Sequence, residues 1–434
     1  MSTVGASWGR FPRAKQKVLA VQYRDQPIPH VNGYLLPYGN GRSYGDCCLN
    51  DGGTLLHTRK LDRFISFDPI QGVLRCEAGV LLSEILELCV AHGWFLPASP
   101  GTQYVTLGGA IANDVHGKNH HVAGTFGCHL MSFELLRSDG RRLLCTPREH
   151  PEWFAASIGG LGLTGLITWA EIQLKRIENP WLETQTHRFS NLDEFFSLSE
   201  ISNRDYEYTV AWVDCAAEGK SLGRGLFMRG NHAPACAAVP RDYGRRQWAM
   251  PVSPPVSLIT PLTLKAFNWL YYHRQRQPVT HALTHYVPYF YPLDSIRNWN
   301  LIYGPRGFLQ YQCVIPPTTA QAGIAEIMGR VAASGRGSFL AVLKQFGDRP
   351  SPGLMSFPRP GTTLALDFPN AGESTFRLLS ELDEVVANAG GAVYPAKDAR
   401  MSGKHYKHYF PNWLKFQDFV DPKFSSSFWR RVME

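Results

Sequence analysis

Three glycine-rich stretches between Pro37 and Gly165 restrict the fold of this chain more than any other feature. The first, Pro37-Tyr38-Gly39-Asn40-Gly41-Arg42-Ser43-Tyr44-Gly45-Asp46, places three glycines where consecutive backbone amides can converge on one oxygen-rich anion such as a pyrophosphate. It is not the helix-opening dinucleotide fingerprint, because Asn50, Asp51, Gly52 and Gly53 follow and cannot continue a helix. The same defect removes the hydrolase elbow suggested by Gly41-Arg42-Ser43-Tyr44-Gly45. The second and third stretches are Gly101 with Thr106-Leu107-Gly108-Gly109-Ala110-Ile111-Ala112-Asn113, and Gly159 to Gly165. Glycine costs conformational entropy wherever it is not needed, so three such loops in one region predict a large bound cofactor, a dinucleotide, pressed against bare backbone.

Short apolar runs separated by turns fill the chain from Tyr34 to Lys175, with strands predicted at Thr54 to Thr58, Gly72 to Ala78, Met131 to Leu136, Arg142 to Cys145 and Leu166 to Leu174. A helix is predicted over Val80 to Gly93, and another after His150, with Pro151 in its first position. Beyond Arg176 to Trp181 the sequence becomes longer in period and richer in aromatics. There the strands Phe308 to Ile315, Ser338 to Lys344 and Thr362 to Phe368 and the helices Thr319 to Ala333 and Glu373 to Ala389 predict a sheet covered by helices. Gly390 to Glu434 returns to a glycine-rich, basic-aromatic character and is expected to dock back on the first domain. The fold class is therefore α+β.

The 434 residues suffice for two or three domains, and 44% hydrophobic against 18% charged residues excludes a disordered chain. The net charge of +8 is scattered without a run of five like charges, so nucleic acid is not an expected partner. Nine cysteines without a CxxC pair give neither a disulfide framework nor a zinc ribbon, and a cytoplasmic location is expected. Val252 to Tyr272 is almost uncharged, but Pro254, Pro255 and Pro261 break any spanning helix, so it reads as a cover or a surface-dipping segment. His116, His120 and His121 invite a metal reading, yet Gly117 breaks the helical spacing that would align them, and no metal is expected.

Seven motifs in order give the chain a resemblance to the FAD-dependent oxidases of the vanillyl-alcohol-oxidase (PCMH-type) fold, and within it to the branch acting on polyprenylphosphoryl pentoses. They are Gly41 to Asp46, Gly108 to Ala112, His116 to His121, Gly162 to Gly165, Tyr303-Gly304-Pro305 with Gly307 to Gln312, Asp367-Phe368-Pro369 and Ala396-Lys397-Asp398. The resemblance implies an FAD-binding domain over residues 1–178, a substrate domain on an antiparallel sheet over 179–389, and a C-terminal segment, 390–434, returning to the first domain. It implies FAD held by Pro37, Tyr38, Gly39, Asn40, Gly41, Arg42, Ser43, Tyr44, Gly45, Asp46, Cys47, Gly101, Thr106, Leu107, Gly108, Gly109, Asn113, Asp114, Val115, His116, Ile167 and Tyr394. The flavin is expected to be noncovalent, since Arg42-Ser43-Tyr44 stands where covalent members carry a histidine.

The implied reaction is oxidation of the 2′-hydroxyl of a polyprenylphosphoryl-β-D-ribose to the ketone, the first half of an epimerisation to an arabinose donor for cell-envelope polysaccharide. A separate NAD(P)H-dependent reductase and contact with the cytoplasmic membrane face follow as expected partners. Lys118, Gln310, Gln312, Lys344 and Lys397 are the implied substrate contacts, and Lys397, His116 and Tyr44 the catalytic set. His116, titrating nearest neutrality, is the preferred base with Tyr44 as alternative; Lys397 would stabilise charge, or act as base if burial lowered its pKa. Gln310 and Gln312 alternate on one strand and share a face. His120 and His121 are expected in a solvent-exposed loop, and the aromatics Tyr286 to Tyr291 in packing. Ala365 replaces a cysteine of the related branch. A soluble alditol or aldonolactone oxidase and an inactive binding subunit are the alternatives.

Overall fold

A computed structural model describes residues 4–240, 244 and 247–434. Part of the stretch 241–277, whose conformation the sequence leaves open, therefore lies outside the described residues. Two main sheets build the first domain, with a small two-stranded pair of Trp94–Phe95 and Lys175–Arg176 beside them. A parallel three-stranded sheet places Thr54–His57 between Lys17–Ala20 and Leu35–Tyr38. An antiparallel five-stranded sheet runs in the order Phe64–Asp68, Val73–Glu77, Leu166–Gln173, Leu130–Leu136, Arg142–Cys145. The helix Leu82–Val90 buries Leu82, Ile85, Leu86 and Cys89, a spacing that puts all four on one face. Pro151 does open the helix Pro151–Ser157.

The second domain is an antiparallel eight-stranded sheet in the order Val279–His285, Trp181–Phe189, Gly225–His232, Tyr208–Val213, Ala341–Phe346, Gly361–Pro369, Phe308–Ile315, Ala392–Val393. Helices Leu192–Asp205, Ala320–Ala333 and Glu373–Asn388 cover one face. Leu378, Leu379, Leu382, Val385 and Val386 form the apolar stripe of the last helix, and they pack with Leu309, Tyr311 and Cys313 of the sheet. The other face is left for the interdomain space.

The strand expected from Ser338 begins at Ala341 instead. Gly335 and Gly337 adopt positive φ, and the Ser338 hydroxyl donates to Leu340 O at 3.0 Å, a local turn that competes with the ladder.

Beyond Ala392–Val393, which joins the large sheet, the C-terminal residues bond to the glycine-loop region. Leu35 N donates to Lys423 O at 2.7 Å, Ser427 N to Leu49 O at 2.7 Å, and Arg431 reaches the buried carboxylates of Asp46 and Asp398 at 2.8 and 2.9 Å. The N-terminal segment crosses between domains: Trp8 N and Gly9 N donate to Ser43 O and Tyr44 O, while Phe308 N donates to Gly9 O.

Candidate active site

A cavity of about 780 Å³ lies between the glycine loops and the open face of the large sheet. That volume is in the upper part of the range for cofactor and ligand sites, roughly 300–1,000 Å³. Its floor is backbone. Gly41 has φ +60°, and a side chain there would strike the Tyr38 ring, whose hydroxyl donates to Ala6 O at 2.8 Å. Gly45 is pressed against the carbonyl of Asp398, so this turn closes on the C-terminal segment. Thr106 caps the short helix Leu107–Ala112 by accepting from Gly109 N at 3.2 Å, which holds Gly108 and Gly109 at the wall.

Pairing of three strands makes the opposite wall. Gln310 and Gln312 stand opposite Asp367 and Ala365, while Thr363 and Ala365 stand opposite Lys344 and Val342. Side chains of a strand alternate between faces, so these residues share the face turned from the helices. Gln312 Nε2 lies 2.9 Å from His116 Nε2 and 3.2 Å from Thr363 Oγ1. An amide nitrogen only donates, so His116 accepts through Nε2 and carries its proton on Nδ1. Gln310 Nε2 donates to Asp367 Oδ1 at 2.6 Å, and Tyr303 donates to Oδ2 at 3.3 Å. Lys397 Nζ stands 3.9 Å above the centre of the Tyr44 ring.

The cations of the site are desolvated. Burial pushes Lys397 down to about 7, with Asp367 opposing and Lys344 adding to the shift. Burial likewise takes Lys344 down to about 8. Burial, then Lys344, His120 and Lys397, hold His116 well below the ordinary imidazole range, so it stays neutral. The Tyr44 phenol is driven well above its usual range by burial and the nearby Asp367.

Of the residues singled out from sequence, the cavity wall contains Pro37 to Tyr44, Cys47, Gly101, Thr106, Gly108, Gly109, Asn113, Val115, His116, Ile167 and Tyr394, together with Gln310, Gln312, Lys344 and Lys397. Gly45, Asp46, Leu107 and Asp114 stand behind it. Asp114 is saturated by Ser351 Oγ at 2.5 Å, Ser356 Oγ at 2.6 Å and Gly127 N at 2.8 Å. Lys118 is off the wall too: its ammonium donates to Phe290 O at 3.1 Å beside Tyr289 and Phe290, and burial lowers it to about 7. Those aromatics are core.

The histidines that follow depart from expectation. His120 is 1% exposed, its ring 4.3 Å from that of Phe346 and its Nδ1 accepting from Gly347 N at 3.2 Å; His121 is half-buried against Tyr206 O. The short helix His120–Ala123 packs against the strand carrying Phe346, which is why neither ring faces solvent.

Trp8, Asp294, Arg297, Val342 and Thr363 also line the cavity and escape the sequence reading. The alternation in Thr363-Leu364-Ala365-Leu366-Asp367 was a usable signal for Thr363. Nothing local marks Trp8, which reaches the wall through the N-terminal crossing and stacks on the Arg42 guanidinium at 4.3 Å.

The cavity fits a dinucleotide. Its floor approaches as bare backbone, a side chain at Gly101 would project into open space, and Asn113 Oδ1 and His116 Nδ1 are buried without a protein partner.

Residues 30–146 match the FAD binding domain family. The chain is 36% identical to the decaprenylphosphoryl-beta-D-ribose oxidase of Mycolicibacterium smegmatis, over 92% of this chain and 89% of that protein. It is 33% identical to an uncharacterized protein of Streptomyces coelicolor over 81% of this chain and 100% of the relative. With the mouse L-gulonolactone oxidase it shares 27% identity over 37% of each chain.

Proposed function

The chain belongs to the family of FAD-dependent oxidoreductases that includes decaprenylphosphoryl-β-D-ribose oxidase, and from this premise we propose that it oxidises the 2′-hydroxyl of a polyprenylphosphoryl-β-D-ribose to the 2′-ketone. The carrying observation is the wall of Gln310, Gln312, Lys344 and Lys397 facing the glycine cradle across one cavity. Noncovalently bound FAD supplies the two-electron acceptor for the carbinol hydride. The chain must then take the hydroxyl proton and orient the ring. Burial gives Lys397 a free-amine fraction near neutrality, so it accepts that proton and becomes an ammonium where negative charge arrives. His116, neutral and fixed by Gln312, orients the sugar, and the un-ionised Tyr44 donates a hydrogen bond. Lys344 presents a point charge for the phosphate, whereas Lys118 is engaged off the cavity wall by Phe290 O. The keto sugar is consumed by a separate NAD(P)H-dependent reduction that completes the epimerisation.

Anaerobic addition of a prenylphosphoryl ribose should bleach the flavin absorbance of the purified protein within turnover time. Bleaching by free alditols or aldonolactones alone would overturn the substrate and favour a soluble sugar oxidase. Absence of bleaching by either class would leave a binding subunit.

An apolar face at the cavity mouth supports contact with a cytoplasmic membrane surface. Ala249, Ile296 and Arg297 line the cavity, and Trp248–Ala249 pairs in parallel with Ile296–Arg297. Trp248 is 70% exposed and Leu262 79%, and Val252, Val256, Trp269 and Leu270 are exposed in the same segment. Lys265, Arg274 and Arg276 add cationic charge there, the composition of a segment that lies in a headgroup region. Among the described residues no helix is long and apolar enough to cross a membrane. Leu262→Glu combined with Trp269→Glu is expected to reduce co-sedimentation with anionic phospholipid vesicles about tenfold while flavin reduction by a short-chain substrate is unchanged. Equal sedimentation of both proteins would remove the membrane reading.

A further inference from the structure

We infer that Asp367 is a positioning residue of this site: its carboxylate takes the amide nitrogen of Gln310 and so turns the amide oxygen, an acceptor, toward the bound alcohol. Asp367 is 0% exposed and is the register partner of Gln310 across adjacent strands, with Gln310 Nε2 donating to Oδ1 at 2.6 Å. Burial raises the Asp367 carboxyl to about 7, while Gln310, Lys397 and Tyr303 pull it back toward the carboxylate; in that ionised form it has no hydrogen to give, so only one of the two amide orientations satisfies it. The second oxygen is held by the Tyr303 hydroxyl at 3.3 Å, and the Tyr303 ring lies 4.2 Å from that of Phe308 with 10° between planes. The carboxylate is thus fixed from both sides while Gln310, and not Asp367, lines the cavity.

The same carboxylate acts on Lys397. The charged and titratable groups around Asp367 and Lys397 are Lys344, Cys47 and His116 from the cavity wall, Tyr303, and Tyr44, which also hydrogen-bonds Gln310. Asp367 favours the ammonium form of Lys397 and Lys344 disfavours it, so removing the Asp367 charge lowers the pH at which the free amine appears. One residue therefore sets the hydrogen-bonding sense of a substrate contact and, in its ionised form, favours the protonated state of the base. The inference rests on the reading of Lys397 and Gln310 as reaction-site residues and goes beyond it by assigning what aligns them.

Two substitutions separate the effects. Asp367→Ala removes the acceptor; its affinity for a short-chain prenylphosphoryl ribose, measured by titration calorimetry, should fall about tenfold, as in Gln310→Ala, and the double variant should be no weaker than either. Asp367→Asn keeps the shape and one acceptor; it should hold most of the affinity while the acid limb of flavin reduction moves to lower pH, a shift Gln310→Ala does not produce. Additive affinity losses, or an unmoved acid limb in Asp367→Asn, would overturn the assignment. Should Asp367→Ala fail to hold flavin, the Gln310 side-chain amide of the unmodified protein decides, its resonance identified by its loss in Gln310→Ala. A proton shifted downfield by the carboxylate and slow to exchange is expected, and a freely exchanging amide contradicts the proposal. Failure of the prenylphosphoryl ribose to bind the unmodified protein overturns the proposed substrate instead, and the cycle is then run on the alcohol that bleaches the flavin.

Discussion

Lys397→Ala should retain flavin and lose substrate-dependent flavin reduction by about 10²–10⁴-fold, the range spanned by removal of a positioned general base. The side chain lines the cavity wall with its ammonium over the Tyr44 ring, and burial brings its pKa from 10.5 to about 7. The sign of the pH dependence follows. A base must be deprotonated to act, so the reduction rate should rise as pH rises through about 7, and this limb should vanish in Lys397→Ala. An added small amine should restore part of the rate by occupying the vacated space. Single-turnover reduction that proceeds in Lys397→Ala at the original rate would remove Lys397 from the chemistry while leaving the fold assignment intact.

Arg431→Ala is expected to cost about 3–5 kcal/mol of stability, because it strands two buried carboxylates that share one guanidinium. Asp46 and Asp398 side chains are 5% and 4% exposed and bond Arg431 at 2.8 and 2.9 Å. The damage reaches the cofactor. Asp46 follows the first glycine loop directly, and the carbonyl of Asp398 bears on Gly45. Denaturant midpoints and flavin content should therefore fall together, with proteolysis opening first near the helix Ser427–Met433. Burial raises Asp46 above the ordinary carboxylate range and Arg431 pulls it back. Without Arg431 that group protonates more readily, so the deficit should narrow as pH falls. Loss of stability with flavin occupancy unchanged would show that the clasp does not support the loop.

The parts of this molecule legible in its sequence are those fixed by local physics. Glycine clusters announced a backbone-lined cavity because no other residue tolerates that proximity, and the apolar run Phe308 to Ile315 with its two glutamines marked a buried strand and its polar face. The strand Trp181–Phe189 escaped because Glu183 to Arg188 are all polar and, Thr184 apart, exposed or only partly covered, which blurs the period of two. The Gln310–Asp367 bond was out of reach since it depends on register between strands far apart in sequence. Burial of His120 depends likewise on a tertiary neighbour, Phe346, that no local pattern announces.

The wall opposite the glycine loops is written in every second residue of three neighbouring strands, and the intervening residues belong to the helix-covered core. Ligand choice and foldability therefore occupy separate positions of one ribbon. Ala365, set between Gln312 and Val342, is the smallest tile of that mosaic. Exchanging such tiles can redraw the outline that a sugar must match while the scaffold's interior is left untouched, a route by which related catalysts diverge in diet without being rebuilt.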